Sequence, residues 1–135
     1  MREEIKKEVI KKEYLNGNIS FEEYILNGQR HQEDGPAYIR YDKNGQMEKE
    51  IYFLNDEVHR ENGPAYILYN ENGRITYKSY YLNNKLHRED RPASIHYDEN
   101  GQIKYEEYWI RGERIMDEFQ LMVINGLQME GNDGI

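Results

Sequence analysis

The sequence contains no cysteine. That removes disulfides, thiolate metal sites and cysteine nucleophiles, and it fits a reducing, cytoplasmic setting. Aliphatic material is thin as well. Hydrophobic residues make up 37% of the 135, a count that includes 13 tyrosines, and the mean hydropathy is −1.09. A thick Leu/Ile interior is therefore not expected, whereas stacked rings on a sheet suit this composition. No apolar run approaches the ~20 residues that a membrane-spanning helix needs. The opening Met1-Arg2-Glu3-Glu4 carries charges without the apolar segment of a secretory signal. Ser20, Ser79, Ser94 and Thr76 are the only hydroxyl nucleophiles of their kind. None lies in a G-x-S-x-G elbow, and no glycine-rich phosphate loop is present. These absences point away from an enzyme, and no cofactor is expected. A formal charge of −8 disfavours a nucleic-acid backbone or an anionic membrane as partner, and it would steer a basic protein surface toward the chain.

What the chain does have is a repeat. His31, His59 and His87 are spaced 28 residues apart and open the phrases H-Q-E-D-G-P-A, H-R-E-N-G-P-A and H-R-E-D-R-P-A. Asn16-Gly17, Asn44-Gly45, Asn72-Gly73 and Asn100-Gly101 keep the same step. A fixed period of this kind marks a repeat architecture. Each unit holds two strand-like stretches. The first covers 19–26, 47–54, 75–82 and 103–110, and the second covers 37–41, 65–69 and 93–97. Asx-Gly segments separate them, and a further turn signal follows each first stretch at Asn27-Gly28, Asn55-Asp56, Asn83-Asn84 and Arg111-Gly112. Turns at this spacing predict an all-β, elongated and twisted antiparallel meander of stacked hairpins.

The histidine row invites a metal reading. Equivalent residues of successive hairpins lie two strands apart, about 10 Å at the usual spacing, whereas ligands of one zinc sit about 2 Å from it. No metal site is expected, and the H-x-E phrase reads as part of a turn, with Glu33, Glu61 and Glu89 set to pair with Arg60 and Arg88. Arg91 stands where the other units have Gly, so that position does not require a positive φ.

Alternation assigns the faces. Ala37/Ile39/Tyr41, Ala65/Ile67/Tyr69 and Ala93/Ile95/Tyr97 are spaced two apart and recur, as do Tyr24, Tyr52, Tyr80 and Tyr108 with Leu26, Leu54, Leu82 and Ile110 two residues on. Side chains two apart share a face, so one face is built to a rule as packing ladders. The residues between them vary and are the better candidates for partner contacts: Tyr38, Arg40, Tyr66, Leu68, Tyr77, His96, Tyr105 and Trp109. Tyr38, Tyr66, Tyr77, Tyr80, Tyr81, Tyr105 and Trp109 are candidates for an aromatic strip. The ends depart from the rule. Residues 1–14 read as an N-terminal cap, helical from the spacing of Ile5, Val9 and Ile10, with a first edge strand as the rival. Residues 15–112 are the array, 113–125 a C-terminal cap in strand or helix form, and 126–135 a flexible acidic tail.

The unit N-G-x-[I/M]-x-x-x-x-Y-x-L followed by H-R-E-D-G-P-A-x-I-x-Y resembles the MORN-type repeats. It is similar to the longer variant of bacterial antitoxin-like and giant-virus repeat proteins. The resemblance covers about residues 16–112 and implies a single-layer sheet of stacked hairpins used for binding or scaffolding. The G-x-G and Tyr-x-Gly-x-Trp pattern of the shorter MORN unit is absent. The expected function is non-catalytic protein binding, most concretely a small acidic cytoplasmic inhibitor, antitoxin-like or anti-defence. It would occlude a basic nucleic-acid-handling protein without touching nucleic acid or membrane itself. The alternative is a structural or adhesive repeat protein that self-associates through sheet edges.

Overall fold

Asp and Asn side chains set the hairpins that organise the chain. Asp42 Oδ1 accepts hydrogen bonds from the Asn44 and Gln46 amides, both at 2.9 Å. Asn70 and Asp98 repeat the pattern one and two units on. The glycine that follows each Asn, at φ between 80° and 91° for Gly17, Gly45, Gly73 and Gly101, takes the left-handed conformation that L side chains resist. The second turn type has two successive positive φ values, as at Asn55 (51°) and Asp56 (68°). This is the twist-matched two-residue hairpin loop for which Asx and Gly are favoured.

The structure, a computed structural model, describes residues 4–116 and is all-β, with no helix among those residues. The strands are β1 (Lys7–Glu13), β2 (Ile19–Leu26), β3 (Gln29–Arg30), β4 (Tyr38–Tyr41), β5 (Met47–Ile51), β6 (Phe53–Leu54) and β7 (Glu57–Val58). They continue as β8 (Tyr66–Tyr69), β9 (Ile75–Ser79), β10 (Tyr81–Leu82), β11 (Lys85–Leu86), β12 (Ser94–Tyr97), β13 (Ile103–Ile110) and β14 (Glu113–Ile115). An open antiparallel sheet runs β1-β2-β4-β5-β8-β9-β12-β13-β14 in meander order.

The short strands form a second row that the sequence reading did not anticipate. Each 28-residue unit sends the front of its first stretch into the main sheet and the rear into a small hairpin: β2 with β3, β6 with β7, β10 with β11, and β13 with β14. The recurrent tyrosine is the pivot. The Tyr52 amide donates to Ala65 O of the main sheet (2.8 Å), while Tyr52 O accepts from the His59 amide of the small hairpin (3.0 Å). Tyr24 and Tyr80 do the same with Ala37/His31 and Ala93/His87. Backbone bonds also join successive small hairpins, from Asp56 N to Arg30 O, Asn84 N to Val58 O and Gly112 N to Leu86 O.

The core is correspondingly thin. Ala37, Ala65 and Ala93 are fully buried, with Phe53, Ile67, Ile95 and Ile115 close behind. Arg60 lies 4.0 Å above the Tyr52 ring and donates to Pro64 O at 3.0 Å; Arg88 does likewise over Tyr80 and to Pro92 O. This corrects the expected ion pairing along the array. The guanidiniums fold their own loops onto the pivot tyrosines, and Glu33, Glu61 and Glu89 sit beside the imidazoles of their own units. Neither Gly35 nor Gly63 has a positive φ, so Arg91 fits that loop position.

The N-terminal cap is a strand, not a helix. β1 pairs along its whole length with β2, with Ile10 opposite Glu23 and Lys11 opposite Glu22. Ile51 stands opposite Tyr38 in the same way one unit on. Stepping 28 residues back from Ala37, Ile39 and Tyr41 reaches Val9, Lys11 and Glu13, so the repeat begins earlier than its motifs do. An isolated helix of this length is marginal in water, whereas the edge of β2 offers backbone partners to a seven-residue strand. At the other end β14 keeps the hairpin pattern; the remainder of the 113–125 cap and the 126–135 tail lie outside the described residues.

Candidate binding face

The paired registers sort the side chains into two faces, because residues directly opposite on neighbouring antiparallel strands share a face. One cross-strand row reads Lys12, Phe21, Arg40, Lys49, Leu68, Tyr77, His96, Tyr105. The adjacent row reads Ile10, Glu23, Tyr38, Ile51, Tyr66, Ser79, Ser94, Glu107 on the same strands. Trp109, two residues beyond Glu107 on β13, joins this face and donates from Nε1 to Glu107 Oε1 at 3.3 Å. All eight candidate contact residues therefore occupy one side of the sheet.

They do not form one cluster. Tyr66, Tyr77, His96 and Tyr105 make a continuous strip, with ring centroids 5.9, 4.5 and 4.3 Å apart in sequence. His96 and Tyr105 are nearly parallel at 14°. Tyr66, Leu68, Tyr77 and His96, with Thr76 and Tyr81, line a shallow depression of about 630 Å³. Tyr81 has its phenol held above the ordinary range by burial first, then by Tyr77 and Tyr66. Ser79 and Ser94 in the adjacent row are buried, and Ser94 Oγ meets Glu107 at 3.3 Å. Tyr38 and Arg40 stand apart, toward the N-terminal end. Tyr38 stacks on Phe21 at 5.7 Å, and Arg40 Nε reaches Glu48 at 3.4 Å. Tyr80 leaves the expected strip altogether, because as a pivot residue it sits under Arg88. Phe21 and Lys49 belong to the face and were not singled out from sequence. Both occupy the 28-step position that Tyr77 and Tyr105 share, and that signal would have found them.

The opposite face is ruled by tyrosine–carboxylate bonds. The Tyr41 hydroxyl donates to Glu22 Oε1 at 2.6 Å, Tyr24 donates to Glu22 Oε2 at 3.2 Å, and Tyr69 donates to Glu50. Burial, and then the bond to Glu22, push the Tyr41 phenol up to about 12. Tyr69 moves in the same direction for the same reasons with Glu50. In the third unit Lys78 replaces the glutamate and places Nζ 5.7 Å from the Tyr97 ring centroid.

The three repeated histidines are staples between units. His31 Nδ1 accepts from the Asn55 amide at 3.0 Å, His59 Nδ1 from Asn83 at 2.9 Å, and His87 Nδ1 from Arg111 at 2.9 Å. Each donor belongs to the positive-φ turn of the next unit. An accepting Nδ1 places the proton on Nε2, which faces Glu33, Glu61 and Glu89 at 3.6, 3.7 and 3.9 Å respectively. Nδ1 is thus committed to the fold in all three units, and the glutamate lies beyond hydrogen-bond distance of Nε2. Among the described residues no group of three or more His, Asp or Glu is placed to hold a metal ion.

No family model, curated protein or solved structure matches the chain.

Proposed function

We propose that this protein is a non-catalytic protein-binding module whose contact surface is the face carrying Tyr38, Arg40, Tyr66, Leu68, Tyr77, His96, Tyr105 and Trp109. The observation that carries the reading is the division of labour between faces. Residues that repeat are tied into turns, staples and tyrosine–carboxylate bonds, and the eight varying candidates share one side of the sheet, where Tyr66, Leu68, Tyr77 and His96 line a shallow aromatic depression. Tyr and Trp supply large amphipathic contact area and dominate the centres of protein interfaces. The strip rings are engaged with one another, edge-on between Tyr66 and Tyr77, tilted between Tyr77 and His96 and nearly parallel between His96 and Tyr105. That arrangement suits a protein surface better than nucleic-acid bases, which stack on open ring faces.

The partner chemistry follows from where the charge lies. Glu33, Asp34, Glu61, Glu89 and Asp90 sit in the loops at one end of the strands, and Asp42, Glu71, Asp98 and Glu99 in the turns at the other. A basic partner would meet aromatic anchors in the centre and carboxylates along both margins. The concrete form of this proposal is an inhibitor, of the antitoxin-like kind that the MORN-like repeat suggests, covering a basic nucleic-acid-handling surface. Cross-linked affinity capture from the native host with the intact protein and with a Tyr77→Ser/His96→Ser/Tyr105→Ser variant tests it. Loss of a stoichiometric basic partner with the triple variant, folding unchanged, is expected. Retention of that partner would move the contact elsewhere.

A further inference from the structure

The strand that begins the sheet carries an unusual amount of exposed apolar surface. Among the described residues β1 pairs on one side, with β2, and all seven of its residues are exposed. Val9 and Ile10 are 51% and 41% exposed, and Ile5 and Leu15 beside the strand are more so. Four of the seven large hydrophobic side chains exposed among the described residues therefore fall within 5–15. Edge strands normally avoid such surface, because their unpaired amides and carbonyls template a further strand. The described chain ends at Met116, just past β14, at the opposite end of the strand order from β1. At the usual strand spacing that is about 38 Å away.

Backbone alternation dictates how this edge can pair. Lys6 O accepts from the Asn27 amide at 2.8 Å, and the Lys6 amide donates to Asn27 Oδ1 at 2.9 Å. The regular register that follows turns the backbone groups of Glu8, Ile10 and Lys12 toward β2 and those of Lys7, Val9, Lys11 and Glu13 outward. An antiparallel copy of β1 must then set odd positions against odd and even against even. Centring the pair on Lys7, Glu8, Lys11, Lys12 or Glu13 places that charge against its own copy, and centring it on Val9 places Lys7 against Lys11. Like charges directly opposite are unfavourable, and opposite charges are favourable. Only the register centred on Ile10 has no such clash. It sets Lys7 against Glu13 and Glu8 against Lys12, each twice.

We infer that two copies of this protein dimerise by antiparallel pairing of β1 about a two-fold axis at Ile10. Ile10 against Ile10 and Glu8 against Lys12 then occupy non-hydrogen-bonded positions, where opposed side chains come closest. Beyond the strand, the same register brings Ile5 of one copy alongside the turn that carries Leu15 of the other. Residues opposite one another share a face, so the sheet continues without turning over and both aromatic strips lie on the same side of it. The contact is isologous: it uses both β1 edges and closes at two copies.

Sedimentation equilibrium of the full chain over a concentration series, at low and high salt, tests the inference. A monomer–dimer equilibrium that weakens with salt is expected. Glu8→Lys and Lys12→Glu each oppose like charges at both symmetry-related positions and should weaken dimerisation by roughly tenfold. Within one molecule these residues stand opposite Ile25 and Phe21 of β2, so neither change opposes like charges inside the fold. Glu8→Lys/Lys12→Glu in one chain restores the dimer, as does an equimolar mixture of the two single variants. Either restoration separates a broken contact from a misfolded chain. The Val9 and Lys11 amides should also gain protection from hydrogen exchange as concentration rises. A monomer at every concentration would overturn the inference. So would growth beyond the dimer, or a dimer indifferent to both single changes, since each moves the contact off the β1 pair.

Discussion

At the residue scale, the same side chain types do opposite work according to position. His31, His59 and His87 each bind the backbone of the next unit, whereas His96 lies between two tyrosine rings. Replacing His59 by Ala removes the acceptor of the Asn83 amide and should lower stability by about 1 kcal/mol, the usual net worth of one such bond. Urea denaturation reads the shift, and a Tyr77→Ser change should leave the Asn83 amide's protection untouched. The tyrosine–carboxylate bonds give a pH dependence of definite sign. Tyr41 is neutral when protonated, and its folded-state value, about 12, lies above the ordinary phenol value of about 10. The stability it contributes is therefore complete below pH of about 10 and is lost as pH rises through about 12. Unfolding midpoints followed across that window should fall, and Tyr41→Phe should flatten part of the slope.

At the scale of elements, the turns were the most legible part of the sequence, because Asx and Gly at fixed steps have one strong conformational meaning. Asn83 and Asn84 have φ of 50° and 70°. An Asn83→Ala variant should lose about 1 kcal/mol, the lower end of the cost of a left-handed L residue, while Asn83→Gly should be nearly neutral. Thermal unfolding of the pair checks this; equal losses would show that the Asn side chain, not the backbone, matters there. The division of each first stretch at its pivot tyrosine was not legible. Tyr52 and Tyr80 sit inside runs that alternate like one strand, and only the competition between the Ala carbonyl on one side and the His amide on the other bends the chain. β1 was misread for a related reason. Its local pattern of charge and apolar spacing favours a helix, and the open edge of β2, a tertiary partner invisible to a local window, decides for a strand. Ile10→Pro should accordingly cost more stability than Ile10→Ala, read by chemical denaturation. Equal effects would contradict a paired strand there.

At the scale of the whole molecule, the period indicates the meander and the sorting of faces, since alternation survives in every unit. It does not reveal which varying residues touch. Tyr77, His96 and Tyr105 come together through register across β9, β12 and β13, while Tyr38 and Arg40 remain at the far end. Four carboxylates, equal to half of the formal net charge of −8, follow the last cation, Arg114: Asp117, Glu118, Glu130 and Asp133. The central claim is that constant residues build this protein and one varying face does its work. Quantitative cross-linked capture, comparing the Tyr77→Ser/His96→Ser/Tyr105→Ser protein with a Tyr41→Phe/Tyr69→Phe protein altered on the opposite face, tests it most directly. The account predicts that the first loses its partner at unchanged fold and that the second keeps it with lowered stability. Partner loss confined to the second protein, with both folded, would contradict it.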